Sequence, residues 1–341
     1  MASAGKFITH IAALQCVERG LTTLDEPVYS HLPELGNLKV ISQNQGPDAS
    51  ARPFLLRFPT KNITLRHLLS HSSGIVQECT PLIQKWRASN SEEPKANYSP
   101  YMDFQAKDYR PNEEAFSTPL LFEPGEGWMY GASLDWTSLL VSRLTNQTLG
   151  KYIRENIFNP LGMASSLYDP QNYPEISSRI LQMVRREGDS LLPANYPLRE
   201  LVSSVSDLGN LLSDLMSPSS KLLKEGNLDL IFTPQFALSS SALSYIRHDT
   251  ENYAAPAGIP PTQMEAPVNH SLAALVVEEE LSLSHIPAGT VTWNGMPNVI
   301  WAMNREKGLG IIFATQLLPV DDEKTVDLAM AFMRGVWDTF G

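Results

Sequence analysis

The sequence predicts a mixed α+β fold in which a long helical region precedes a small group of adjacent strands. Apolar residues recur at helical spacing in residues 3–19 and again in residues 322–339. Residues 290–293, 298–303 and 310–315 form three β-rich runs separated by turn residues, which is the pattern of antiparallel strands. With 341 residues, the chain is long enough for one large unit or for two lobes.

The helices are predicted from apolar spacing together with residues that start and stop helices. The first begins near Ser3, a residue type that is favoured at helix starts, and it stops at Gly20. Residues 63–69 form a compact helix, with Asn62 or Thr64 near its start and Ser73 and Gly74 closing it. Further helices are predicted for a short segment after residues 24–28 and for residues 134–144, 149–158 and 206–216.

Two parts of the chain carry weaker signals. Residues 77–117 are polar, and their four prolines predict an irregular insertion or lid: Pro81, Pro94, Pro100 and Pro111. The two cysteines, Cys16 and Cys79, are too few for a disulfide framework and match no zinc-binding spacing. Cys16 lies among apolar residues, so we expect it to be a small buried hydrophobe.

Charge and hydropathy limit the kinds of partner. The formal net charge of −11, from 37 acidic and 26 basic residues, argues against nucleic acid and anionic membranes as partners. No apolar run reaches 18 residues, and the first residues do not form a signal peptide. The sequence therefore predicts a cytoplasmic protein that acts on a small molecule, with no metal and no organic cofactor.

The first candidate for chemistry is the segment Ser3-Ala4-Gly5-Lys6. Residues three apart lie on one face of a helix, so the Lys6 ammonium can reach the Ser3 hydroxyl. A serine becomes a nucleophile when a neighbouring base removes its proton, and a lysine serves as that base when its pKa is lowered. On spacing alone, a helix-starting serine beside a solvated lysine explains the segment better.

The second candidate is Tyr130 in the segment Trp128-Met129-Tyr130-Gly131-Ala132-Ser133. A tyrosine at a glycine-flanked turn before a helix can project into a cleft, where its phenol relays a proton. A structural tyrosine bonded to a nearby carbonyl is the alternative, and the local sequence favours it.

The third candidate is Trp293-Asn294-Gly295-Met296, at the end of a predicted strand. A glycine at a strand edge lets a substrate carbonyl approach backbone N–H groups, as an oxyanion hole requires. A hairpin turn at Asn294-Gly295 is the alternative, since Asn-Gly is a strong hairpin signal.

Other catalytic arrangements are excluded by their missing motifs. His67 and His71 are four residues apart, but no His-Glu-x-x-His segment and no third metal ligand accompany them. His71 is predicted to be a buried, hydrogen-bonded loop residue. The chain also lacks a Gly-x-Ser-x-Gly elbow, a Walker loop and a Gly-x-Gly-x-x-Gly fingerprint.

Taken in order, the three candidate motifs resemble those of the β-lactamase and penicillin-binding-protein superfamily. The sequence segments that connect the motifs are also similar to that family, in residues 13–21, 63–74, 122–125 and 157–163. Within the superfamily, the chain is most similar to class C-like esterases and to fungal transesterases of secondary metabolism. The segments that carry this likeness are residues 130–136, 293–295 and 314–319.

The resemblance implies a fold and a mechanism. The fold is β-lactamase/transpeptidase-like, with an antiparallel sheet flanked by helices, a mainly helical lobe, and the site between the two lobes. Ser3 would attack an ester or thioester carbonyl, with Lys6 and Tyr130 handling its proton. The oxyanion would lie on the backbone N–H groups of Ser3 and Met296, and water or an alcohol would take the acyl group.

The resemblance also implies where the lobes lie along the chain. We expect a single β-lactamase-related unit over residues 1–341. Its helical lobe would comprise roughly residues 3–160 and 200–235. Its sheet lobe would comprise roughly residues 161–199 and 270–341, including the closing helix.

Three departures from the family pattern refine these expectations. Family members carry a helix and a strand or two before the nucleophile, whereas two residues precede Ser3 here. Either the sheet lacks those strands or this sequence begins after them. Ala132 and Trp293 stand where penicillin-recognising members carry polar groups that hold a β-lactam carboxylate. We therefore expect a serine hydrolase or acyltransferase acting on an ester or thioester of a small apolar metabolite.

Two other functions remain open at this point. One is a catalytically inactive scaffold with the same fold. The other is non-hydrolytic acid–base chemistry on a metabolite, with Lys6 and Tyr130 as the proton shuttle. Under the leading function, an acyl carrier protein or another thioester is a candidate acyl donor.

Overall fold

The structure is a computed structural model, and it describes residues 1–50, 52–76, 80–89, 118–194, 201–248, 259 and 265–341. The chain forms two compact units. The sheet unit comprises Met1–Glu18, Gly150–Gln235 and Arg247–Gly341, and the helical unit comprises Arg19–Leu149 and Phe236–Ile246.

The α-helices of the described residues, in chain order, are α1 (Lys6–Glu18), α2 (Leu65–Leu69), α3 (Pro81–Ser89), α4 (Ser133–Thr145), α5 (Leu149–Ile153), α6 (Pro174–Ser177), α7 (Val205–Met216), α8 (Glu225–Phe232), α9 (Ser241–His248) and α10 (Glu323–Phe340). A 3-10 turn, Ala2–Gly5, leads directly into α1. A π-helical turn, Arg154–Phe158, continues α5.

The strands are β1 (Val40–Gln43), β2 (Phe54–Arg57), β3 (Val184–Glu187), β4 (Ser190–Pro193), β5 (Val268–His270), β6 (Leu275–Val277), β7 (Val291–Gly295), β8 (Val299–Asn304), β9 (Leu309–Phe313) and β10 (Leu317–Leu318). They form a two-stranded sheet, a three-stranded sheet of order β10-β3-β4, and a five-stranded sheet of order β5-β6-β7-β8-β9.

The five-stranded antiparallel sheet is the centre of the sheet unit. Each of its strands is paired with its neighbour in sequence, and Trp293 on β7 lies opposite Trp301 on β8. Helix α10 packs against β9, and α7 packs against β8 and β9. One face of α10 is apolar at a spacing of four residues, with Ala329, Met333 and Trp337 buried.

Helix α1 is a core helix of the sheet unit. All of its residues from Phe7 to Cys16 are buried, which fits a segment whose apolar residues cover most of its circumference. The Gln15 side chain ties the helix to its neighbours, because its amide N–H groups donate to the carbonyls of Asn156 and Leu222. The prediction that Cys16 is buried is confirmed, whereas Cys79 lies outside the described residues.

The helical unit is built on α2, α4 and a small apolar cluster. Helix α2 begins after Thr64, whose hydroxyl accepts a hydrogen bond from the His67 N–H while His67 Nδ1 accepts one from the Thr64 N–H. Helices α2 and α4 pack together. In the apolar cluster, Ile83 and Trp86 of α3 are buried against Ile41 and Val76.

The predicted α+β class is confirmed, and so are the predicted helices in residues 63–69, 134–144, 149–158, 206–216 and 322–339. The three predicted strands are present and antiparallel. The prediction that residues 77–117 are irregular is wrong for α3, and the rest of that segment, residues 77–79 and 90–117, lies outside the described residues. Residues 3–18, 150–160 and 200–235, which we expected in the helical lobe, belong to the sheet unit as far as they are described.

The turn between β7 and β8 differs from the hairpin alternative for Asn294-Gly295. Both residues belong to β7, and the turn is made by Met296, Pro297 and Asn298. Asn298 takes the left-handed conformation that the turn needs, at φ 56°. Its side chain fixes the turn by donating to the carbonyls of Leu317 and Pro319.

Candidate active site

Ser3 and Lys6 contact each other at the start of α1. Ser3 lies in the 3-10 turn, and Lys6 is the first residue of the α-helix. A 3-10 helix has three residues per turn, so side chains three apart lie directly above one another. Lys6 Nζ donates a hydrogen bond of 3.2 Å to Ser3 Oγ. The structure therefore brings together the first two residues of the predicted site.

The turn that carries Ser3 is fixed by contacts with β8. The Trp301 indole N–H donates a hydrogen bond of 3.2 Å to the carbonyl of Ala4. The Trp301 ring also packs on Phe7, with 4.4 Å between ring centroids. Both aromatic side chains are buried, so this end of α1 is anchored on the sheet.

Strand β7 approaches the same turn through Gly295. A Cβ atom at Gly295 would lie 2.2 Å from the Met1 carbonyl oxygen and 3.0 Å from the Ala4 nitrogen. Only a residue without a side chain fits there. On β7, strand β6 pairs only with Val291 and Thr292. Beyond these two residues, β7 continues past the end of β6 and contacts the Ser3 turn.

The other predicted residues of β7 and its turn lie on different faces. Trp293 is on the same face as Gly295, since side chains alternate along a strand, and it is 8% exposed. Asn294 points to the opposite face, where it lines a cavity of about 10 Å³ with Asn298 and Asp321. Met296 follows the strand and is partly exposed. Asn294 is thus separated from the face that meets Ser3.

Two buried histidines near this site were not singled out by the sequence. His10 follows Lys6 by one helical turn, and its Nδ1–H donates to the Lys6 carbonyl at 3.0 Å. His270 on β5 packs edge-on against Trp293, with 6.0 Å between ring centroids. The signal in the sequence was the spacing of Ser3, Lys6 and His10, which share one helical stripe.

His270 is held in its neutral form. Burial is the main cause that lowers the pKa of His270 to about 3, and the electrostatic interaction with His10 acts in the same direction. The hydrogen bond of 2.6 Å between His270 Nδ1 and the Ser271 carbonyl acts in the opposite direction and is outweighed. The imidazole that packs on Trp293 is therefore an uncharged, buried part of the core.

Tyr130 and Ala132 belong to the helical unit. Tyr130 lies in the loop before α4, Ala132 is the residue that precedes the helix, and both are partly buried. Gly131 between them fits closely against the chain, because a Cβ there would lie 2.6 Å from the Ile75 carbonyl oxygen. The sequence prediction of a tyrosine on a glycine-flanked turn before a helix agrees with this local structure.

Within the described residues, no group of three or more histidine, cysteine, aspartate or glutamate side chains is arranged to hold a metal ion. His71, predicted to be a buried loop residue, is indeed buried. In the same part of the chain, no helix is both long and apolar enough to cross a bilayer.

A helix-flanked antiparallel sheet with a serine–lysine pair at the start of a core helix defines the class of β-lactamase-like serine enzymes. The beta-lactamase family profile matches residues 1–332. The chain belongs to this family, and it is a serine esterase or transesterase.

Two relatives and one solved structure are similar to this chain over nearly its whole length. Acyltransferase calJ of Penicillium decumbens is 31% identical, over 100% of this chain and 80% of its own length. Lovastatin esterase of Penicillium rubens is 32% identical, over 99% of this chain and 84% of its own. The unliganded structure of simvastatin synthase (LovD) from Aspergillus terreus superposes with a TM-score of 0.81 at 28% identity, covering 100% of this chain and 83% of that one.

Proposed function

We propose that the chain transfers or hydrolyses the acyl group of a small apolar ester or thioester, with Ser3 as nucleophile, Lys6 as base and Tyr130 as proton relay. The observation that carries this proposal is the hydrogen bond of 3.2 Å from Lys6 Nζ to Ser3 Oγ. A base within hydrogen-bonding distance of a hydroxyl is the arrangement that activates a serine.

The acylation step follows from that contact. Neutral Lys6 removes the Ser3 proton while Ser3 Oγ forms a bond to the substrate carbonyl carbon. The carbonyl oxygen becomes an oxyanion, and the proposed donors to it are the backbone N–H groups of Ser3 and Met296. Collapse of the intermediate breaks the bond to the leaving group, which takes the proton by way of Lys6 and Tyr130.

The close approach of Gly295 to Met1 and Ala4 supports the proposed oxyanion site. This approach brings the end of β7 to the turn that carries Ser3, and Met296 is the next residue in the chain. In the second half of the reaction, water or an alcohol attacks the acyl-serine, and the proton returns to Ser3. Water gives hydrolysis, and an alcohol gives transesterification.

The substrate class is proposed from the apolar side chains of the motifs and from the relatives. Ala132 and Trp293 offer no charge to a carboxylate. The names of the relatives include a lovastatin esterase and a monacolin J acid methylbutanoyltransferase. We propose a branched short-chain acyl group on a polyketide-like alcohol as substrate, and an acyl carrier protein or another thioester as donor. Cytoplasmic location stays a prediction from the sequence.

The test is acylation by a chromogenic short-chain ester, followed by the mass of the intact protein. We expect a mass gain on Ser3 and turnover of the ester. Ser3→Ala should lower turnover by at least about 1,000-fold, and Lys6→Ala and Tyr130→Phe by about 100-fold or more. Matched controls are Ser282→Ala and Lys307→Ala, at exposed positions of the sheet unit, which should leave turnover unchanged.

The same experiment separates the alternatives. Turnover of a metabolite that survives Ser3→Ala but is lost in Lys6→Ala or Tyr130→Phe would replace the acyl-enzyme with acid–base chemistry. A protein that neither gains mass nor turns over any ester would be the scaffold.

A further inference from the structure

His71 contacts the ring of Tyr130 inside the helical unit. The centroids of the two rings are 4.9 Å apart, and their planes are inclined by 46°. His71 is 2% exposed, so its imidazole is fixed by the core. On its other neighbour, Trp128, it packs edge-on at 6.4 Å between centroids. Such distances are typical of aromatic pairs that restrict each other's orientation.

The backbone of His71 is fixed as firmly as its ring. His71 takes a left-handed conformation, φ 55°, which is uncommon outside glycine and in which histidine is one of the better-tolerated residues. Its carbonyl accepts a hydrogen bond of 3.1 Å from the Met129 N–H. The next carbonyl, of Ser72, accepts one of 2.8 Å from the Gly125 N–H. The segment around His71 is thus tied to the segment that leads into Tyr130.

The chain after Tyr130 is held by the same segment. Gly131 lies so close to Ile75 that a side chain would not fit, and the buried hydroxyls of Ser73 and Ser133 are hydrogen-bonded at 2.8 Å. The backbone on both sides of Tyr130 therefore has little freedom. The Tyr130 side chain can still rotate about its two torsions, and the His71 ring lies against it.

We propose that His71 is a positioning residue, which holds the phenol of Tyr130 in the orientation that proton transfer requires. This role rests on the function proposed for Tyr130. Proton transfer needs a donor and an acceptor within hydrogen-bonding distance and in line, and an error of about 1 Å can cost about 100-fold in rate. His71 acts through the tyrosine and does not itself exchange a proton with the substrate.

The test is a double-mutant cycle between His71→Asn and Tyr130→Phe. Asparagine tolerates the left-handed backbone, so His71→Asn removes the ring while keeping the loop; His71→Gly is the second variant if the first does not fold. The acylation rate of the chromogenic ester is measured by its burst phase. Ser70→Ala is the matched control, since it removes the buried Ser70–Ser72 hydroxyl pair from the same loop and leaves the Ser73–Ser133 pair that holds the chain after Tyr130.

We expect His71→Asn to lower the acylation rate by about 10- to 100-fold with KM changed by less than about threefold. In the Tyr130→Phe background the same substitution should cost less than about twofold, because the group that it positions is already absent. Ser70→Ala should lower the thermal midpoint and leave the acylation rate within about threefold. A second readout is the aromatic NMR signal of Tyr130, which should shift in His71→Asn while the signals of the ten other tyrosines stay.

Three results would contradict the roles proposed for His71 and Tyr130. Equal losses from His71→Asn in both backgrounds would make His71 merely structural and would overturn its positioning role. So would an acylation rate unchanged by His71→Asn in an enzyme that Tyr130→Phe impairs. Full activity of Tyr130→Phe would overturn the proposed function of the tyrosine, and the role of His71 with it.

Discussion

The indole N–H of Trp301 donates a hydrogen bond of 3.2 Å to the carbonyl of Ala4, the residue after Ser3. The two residues are 297 positions apart in the chain. One contact therefore joins the middle of the sheet to the turn that carries the proposed nucleophile. Because Trp301 also packs on Phe7, the sheet fixes the turn by both a polar and an apolar contact.

The first prediction tests this anchor with Trp301→Phe. The substitution keeps an aromatic ring beside Phe7 but removes the donor to Ala4. We expect a loss of stability of about 1 kcal/mol from the hydrogen bond, in addition to the loss from reduced volume. The acylation rate should fall about 10-fold, because the Ser3 turn becomes less well positioned. Urea denaturation and burst kinetics measure the two effects.

Trp337→Phe is the matched control for that prediction. Trp337 is also buried in the sheet unit, on α10, and its indole N–H has no hydrogen-bond partner among the described residues. It should lose stability through volume alone and keep the wild-type acylation rate. Equal acylation rates in the two variants would show that the Trp301–Ala4 bond does not position Ser3.

The second prediction concerns Gly295→Ala. The new Cβ would lie 2.2 Å from the Met1 carbonyl oxygen and 3.1 Å from the Ala4 Cβ, so either β7 or the Ser3 turn has to shift. We expect at least about a 10-fold loss in acylation rate and a destabilisation of about 1 to 3 kcal/mol. Thermal unfolding and burst kinetics check both.

The control is Gly209→Ala, in the middle of α7, where a Cβ meets no atom within 4 Å. Alanine in an open helical position should stabilise the protein by about 0.5 to 1 kcal/mol. Activity should not change. Wild-type acylation by Gly295→Ala would mean that the close approach of β7 has no part in the site.

The sequence predicted those parts of the fold and site that are local. Ser3 and Lys6 are three residues apart, so their contact follows from helix geometry alone. The strands of residues 291–313 were predictable because each alternates with clear turn residues. By contrast, β5 and β6 are only three residues long and fully buried, so they carry no alternation to recognise.

Long-range contacts were beyond the sequence patterns. The spacing around Gly295 suggested an open approach for a substrate carbonyl, and the structure shows an approach to the backbone of residues 1–4. The hairpin alternative placed the turn at Asn294-Gly295, whereas the turn lies at residues 296–298 and Asn298 takes the left-handed conformation. His10 and His270 are 260 residues apart. The spacing of His10 from Ser3 and Lys6 indicates its position, whereas nothing in the local sequence of His270 indicates that it lies near the proposed site.

The third prediction concerns Asp322, the residue before α10. Its carboxylate accepts hydrogen bonds from the N–H and hydroxyl of Thr325, at 3.1 and 2.7 Å, and pairs with Arg186 Nε at 2.7 Å. Asp322→Ala removes a helix cap and leaves a largely buried guanidinium without this partner, so we expect a loss of about 2 to 4 kcal/mol. Asp322→Asn keeps a capping group and should lose less.

Asp189→Ala is the control for the helix cap. The Asp189 side chain is 93% exposed and pairs with Lys324 on the surface. Removing it should change the free energy of unfolding by no more than about 0.5 kcal/mol. Comparable losses from Asp322→Ala and Asp189→Ala in urea denaturation would contradict the importance of the cap.

The fourth prediction is a dependence of stability on pH that comes from His270. Its ordinary pKa is 6.5, which holds in the unfolded chain, and burial lowers the pKa to about 3 in the fold. Below pH 6.5 the unfolded chain therefore binds a proton that the folded protein excludes, and stability falls as the pH falls towards 3. Between pH 7 and pH 5 this residue should cost about 2 kcal/mol.

That pH window isolates the histidine from the carboxylates. The ion pairs of Asp25 with Arg66 and of Glu34 with Arg143 lower the pKa of each carboxyl below its ordinary 3.8 or 4.5, so both lose their contribution at more acidic pH. His270→Gln should reduce the slope between pH 7 and pH 5 in urea denaturation at fixed ionic strength, and the remaining slope should come from His67, whose pKa is also lowered by burial. Since glutamine does not titrate, a variant that keeps the full wild-type slope would assign the pH dependence to another group and leave the buried imidazole without a part in it.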